Sequence, residues 1–104
     1  MKKDSYKTDV IFRVVSINGI TEVTAFLPHE VDSFEGHVNC YAHCGQHGTA
    51  DYHYCVSKSR LATKDEYKDL KKEMENLFGY NFRILKKQNR KKYLKSYYKV
   101  RSSK

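Results

Sequence analysis

The chain has 104 residues, of which 39% are hydrophobic and 31% charged, with 5 Gly, 1 Pro, 3 Cys and a net charge of +8. That length suits one domain, and the composition excludes a disordered or collagen-like chain. The odd cysteine count argues against a disulfide framework. No apolar run approaches the roughly 20 residues needed to span a bilayer. The run VIFRVVSI behind MKKDSYKTD is broken by Arg13, so no secretory signal is expected and the cytoplasm is the expected compartment.

The charge is unevenly spread. Residues 79–104 hold ten Lys/Arg and no acid, whereas residues 1–78 hold ten Lys/Arg against twelve Asp/Glu. A near-neutral body with a basic C-terminal quarter points to an anionic partner.

The first predicted element is a β-hairpin. Asn18-Gly19 separates runs 10–17 and 20–27, both rich in β-branched and aromatic residues, and this is the strongest local hairpin signal. A two-residue loop pairs Ile17 with Ile20, and hence Phe12 with Ala25 and Val14 with Val23 on an apolar face. Ile11–Phe26, Arg13–Thr24 and Val15–Glu22 fall on a mixed, partly wet face. Pro28 lacks an N–H and is expected to stop the second strand, with 28–36 an acidic loop. Residues 37–44 alternate like a strand, Val38, Cys40, Ala42 and Cys44 opposite His37, Asn39, Tyr41 and His43. GQHGTAD (45–51) is expected to be a loop and YHYCVSK (52–58) a further strand.

Residues 64–78 predict a helix. Thr63 and Glu66 form a capping box, Tyr67, Leu70, Met74, Leu77 and Phe78 make one apolar stripe, and Gly79 ends it. Residues 80–86 predict a returning strand. Beyond it the tail shows i,i+4 pairs, Tyr93–Tyr97 and Leu94–Tyr98, compatible with a short helix. The expected fold class is therefore α+β: an antiparallel sheet of about four to five strands with one helix on one face. Residues 1–87 would form the domain and 88–104 a basic extension.

Three constellations could carry chemistry. Four of the five histidines and all three cysteines lie between His37 and Cys55. Cys40, His43, Cys44 and His47 have the donor types of a zinc site, without the paired spacing such sites usually show. A Cys–His pair could make a nucleophile with Asp51 as orienter, or His43 and His47 could act as acid and base in RNA cleavage. They could also capture a small anion. The bland alternative makes the cysteines small core residues and the histidines loop-fixing groups. Third, Arg90, Lys91, Lys92 and Lys95 interleave with Tyr93, Tyr97 and Tyr98. Cations can neutralise phosphates while aromatic rings stack on bases.

Tyr41, His43, Gly45, Gln46 and His47 make a Y-x-H-x-G-Q-H motif, and Glu66, Tyr67, Leu70, Gly79 and Tyr80 follow in the helix and its exit. In these features residues 9–87 resemble a family of small proteins of gut-associated bacteriophages and mobile elements. The family pattern is aliphatic where this chain has Cys44, which weakens Cys44 as a ligand or nucleophile. The resemblance implies a bacterial-host setting and no particular activity. The combined expectation is a non-enzymatic accessory protein without a cofactor. It would bind nucleic acid or an acidic protein through Arg90, Lys91, Lys92, Tyr93, Lys95 and Tyr97, with Tyr41, His43, Gln46 and His47 as a recognition turn.

Overall fold

A computed structural model describes residues 7–32, 36–42 and 46–102, with Gln46 and His47 described by their backbone only. The architecture is α+β. Strands β1 (Thr8–Ile17), β2 (Ile20–Val31), β3 (Val38–Ala42) and β4 (Gln46–Ala50) are followed by helix α1 (Tyr52–Ser57) and strand β5 (Ser59–Leu61). Helix α2 (Lys64–Phe78), strand β6 (Phe82–Ile84) and helix α3 (Arg90–Ser102) complete the chain.

The sheet order is β4-β3-β2-β1-β5. Strand β6 joins the same outer edge of β1 as β5, but at its opposite end and in parallel, pairing Thr8 with Phe82 and Val10 with Ile84. The hairpin forms in the expected register, from Ile11–Phe26 to Ile17–Ile20. Asn18 and Gly19 both have positive φ, 55° and 79°. A two-residue turn that matches the strand twist needs this conformation, and Asn and Gly reach it most cheaply.

Pro28 does not end β2. The strand runs on to Val31, and its pairing with β3 slips between Leu27 and Val31. A residue without an N–H is tolerated at such an irregularity because no ladder bond is lost. The expected 28–36 loop is thus partly strand. The expected 45–51 loop likewise gives β4, which pairs from Ala42–Gln46 to Val38–Ala50. Cross-strand pairing outweighs the poor strand preference of glycine here.

Residues 52–57 form a helix rather than the expected strand. Asp51 caps it by accepting the Tyr54 N–H at 3.2 Å. Tyr52, Cys55 and Val56 then fall at i, i+3 and i+4 and pack together on the sheet. The capping box and Gly79 terminator of α2 are present as expected, with Gly79 at φ 72°.

Two layers cover the sheet. On one face, α2 inserts Leu70 and Met74, both fully buried, against Val10, Phe12, Ala25, Leu27 and Tyr41. On the other, α1 and α3 pack over Ile11, Val15, Phe26, Val31 and Val38. The second face is therefore not wet along this stretch. The segment expected as a basic tail forms α3, and it places Tyr93, Tyr97 and Val100 against that face. No helix among the described residues is long and apolar enough to cross a membrane.

Candidate nucleic-acid interface

The central motif is divided by the fold. Tyr41 is buried, its ring 5.4 Å from Phe78 in an edge-to-face contact, and its hydroxyl donates to the Glu73 carboxylate. It is a core residue tying β3 to α2, not a surface recognition group. His43, Cys44 and Gly45 lie outside the described residues. Gln46 and His47 belong to β4, where their backbones pair with Ala42 and Tyr41.

Cys40 and Cys55 line one pocket of about 260 Å³ on the α1 side of the sheet, with Thr24, Ala42 and Ala50. Burial pushes the Cys40 thiol up to about 11, and the nearby Cys55 adds to the shift. Burial also raises Cys55, with Asp51 contributing. Both thiols are therefore protonated near neutral pH, the reverse of an activated nucleophile. No cluster of three or more His, Cys, Asp or Glu side chains that could hold a metal occurs among the described residues.

A histidine with two well-defined contacts lies outside the motif. His29 Nδ1 is 2.9 Å from Asp9 Oδ2, and its Nε2 accepts the Asn89 N–H at 2.8 Å. Because Nε2 is an acceptor, Nδ1 carries the proton and donates to Asp9, so the ring is neutral. Burial lowers the affinity of His29 for a proton, outweighing the hydrogen bond and charge of Asp9, and Lys92 adds to the lowering. The pair looks like an acid–base dyad, but the Nε2 lone pair is already spent on backbone. Its role is to dock the start of α3. Sequence spacing could not reveal it, since Asp9 and His29 lie 20 residues apart.

Other polar contacts complete that docking. Lys92 reaches Asp9 at 3.2 Å, and Arg83 approaches its other oxygen at 3.5 Å. Burial would raise the Asp9 carboxyl, but hydrogen bonds from Lys92 and His29 and their charges hold it below its usual value. Gln88 donates to the Pro28 carbonyl at 2.9 Å, and the Val31 N–H donates to Ser96 Oγ at 3.1 Å. Asn89 caps the helix by accepting the Lys92 N–H at 3.0 Å.

Of the basic and aromatic residues picked out by sequence, the fold sends some inward and some outward. Tyr93 and Tyr97 are half-buried and stack at 6.1 Å. Tyr93 donates to the Gly36 carbonyl at 3.0 Å, and Arg101 lies 5.5 Å over the Tyr97 ring. These two tyrosines anchor the helix to the sheet and keep part of each ring accessible. Arg90, Lys91, Lys95 and Lys99 are exposed, and Lys92 is exposed while bound to Asp9. Tyr98 is 62% exposed. It is the outward aromatic that the sequence could not distinguish from its neighbours. Lys92, Lys95, Ser96 and Lys99 line a groove of about 310 Å³ with His29 along one side of α3.

No protein-family model, curated protein or solved structure matches this chain.

Proposed function

We propose that this is a non-enzymatic accessory binding protein of the phage or mobile-element type, which binds nucleic acid through the outward face of α3. The observation that carries the reading is the division of that helix. Its tyrosines at 93 and 97 fix it to the sheet, and its lysines at 91, 95 and 99 face solvent. The whole stretch 79–104 holds no acidic residue to compensate them. A rigid row of cations matches a polyphosphate chain better than a mobile tail does, because less ordering entropy is lost on binding.

Fluorescence anisotropy with labelled DNA and RNA oligonucleotides at two salt concentrations tests this. Three phosphate contacts would weaken binding roughly 20- to 40-fold between about 50 and 200 mM salt. Changing Lys91, Lys95 and Lys99 together to Gln should weaken binding and flatten the salt dependence while leaving the fold intact. Deleting the helix is a poorer test, since it would uncover Ile11, Phe26 and Val38. Absence of binding to any single- or double-stranded probe at low salt overturns the proposal. A salt-sensitive affinity for an acidic protein alone would move the function to a protein partner.

A further inference from the structure

The nucleic-acid reading leaves open which form of nucleic acid the helix accepts. We infer that α3 takes a single strand, one exposed base stacking on Tyr98 while the backbone follows the lysine groove beside it. The inference rests on the proposal above and deepens it.

Three observations carry it. Tyr98 is the most exposed of the aromatic side chains that the structure describes as exposed, at 62%. Its two tyrosine neighbours on the helix are both committed to the sheet.

The second observation is the company the ring keeps. On a helix of 3.6 residues per turn, Lys91 and Lys95 share the crest with Tyr98, at i−7 and i−3, and Lys99 follows on the groove side. The third is the groove. Lys92, Lys95 and Lys99 line it together with Ser96, whose Oγ accepts the Val31 N–H and so keeps its own proton to donate. Asp9 takes up much of the Lys92 charge, which leaves Lys95 and Lys99 as the principal cations for successive phosphates. Phosphate-seeking groups thus line one side of an aromatic platform, the pattern used for unpaired strands. A duplex would satisfy the lysines but not the ring, because its base faces are already stacked on one another.

The test compares a mixed-sequence 16-nucleotide DNA strand, the blunt duplex of the same sequence, and an abasic strand of equal length, all against the full chain. The single strand should bind at least about 5-fold tighter than the duplex at equal salt. Tyr98→Ala should weaken single-strand binding about 5- to 150-fold, the range of one lost base–aromatic stack. The duplex should change less than about twofold, and Tyr98→Phe should keep nearly full affinity, since stacking needs the ring and not the hydroxyl. The abasic strand keeps its phosphates and should bind the unaltered protein about as weakly as the base-bearing strand binds Tyr98→Ala, with no further loss in that variant. A duplex bound as tightly as the strand overturns the inference. So does a Tyr98→Ala variant with unchanged single-strand affinity, or a Tyr98→Phe variant as weak as Tyr98→Ala. Those outcomes leave the basic helix as a binder of nucleic acid. Failure of every probe to bind at low salt overturns the underlying reading instead. Because Tyr98 is exposed, circular dichroism of both variants should match the unaltered chain.

Discussion

Two of the helices that flank the sheet, α2 and α3, are held by different physics. Helix α2 is seated by burial: Leu70 and Met74 are completely enclosed, and Tyr67 stacks on Phe12 at 4.5 Å. Helix α3 has no fully buried residue. It is seated by a polar set, His29 and Lys92 on Asp9, Asn89 on His29, Gln88 on Pro28, and Tyr93 on Gly36. Apolar burial is non-directional and nearly indifferent to pH and salt, whereas the polar contacts are directional and sensitive to both. A helix that must show cations to solvent has fewer positions left for an apolar stripe, so directional bonds replace part of it. The contrast teaches that α2 stabilises the domain and α3 positions a surface.

The largest effect expected from this contrast is on the α2 side. Leu70→Ala should destabilise the whole domain by about 2–5 kcal/mol, because the enclosed site cannot collapse around the missing atoms. Urea denaturation should show a single transition moved to lower urea. If the midpoint is unchanged, α2 is not the main support of the fold.

Gly36→Ala should act more locally, through the seat of α3. Gly36 has φ 85°, and a Cβ there would collide with the Tyr93 hydroxyl. The expected cost is about 1–3 kcal/mol. Faster hydrogen exchange should appear in α3 before α2, and equal acceleration in both helices would erase the distinction drawn here.

The smallest effect is a pH dependence of stability that acts through the seat of α3. The folded state holds His29 below its ordinary value of 6.5. Between that lowered value and 6.5 the unfolded chain binds more protons, so stability rises with pH across the interval. The contribution is fully present above about 6.5 and is lost as pH falls toward the lowered value. Protonation also removes the acceptor for the Asn89 N–H. Thermal melts from about pH 7.5 to 5 should show this slope, and His29→Gln should flatten it. An unchanged slope in that variant would assign the titration elsewhere.

Features encoded by adjacent residues were legible in the sequence. Asn18-Gly19 specifies the hairpin and its register, and Thr63, Glu66 and Gly79 bracket α2, because each acts on backbone within a few residues of itself. Residues 46–57 were not legible. Their glycine and histidines suit a loop, and only the β3 edge makes 46–50 a strand. Alternation masked the i, i+3, i+4 spacing of Tyr52, Cys55 and Val56. The candidate site divides in the same way. The stretch 90–101 announces its charge, but which of Tyr93, Tyr97 and Tyr98 turns outward depends on how α3 meets Ile11, Phe26 and Val38.

The bond from Lys92 to Asp9 spans 83 residues. During synthesis, the first strand is made long before the helix that closes over it. Ile11 and Phe26 stay uncovered by α3 until residues near 100 have left the ribosome. Closing so long a loop is entropically costly and slow compared with forming the hairpin. The nascent chain therefore carries a partly open apolar sheet face until α3 has been made, and the polar residues that fasten α3 are also what ends that exposure to aggregation.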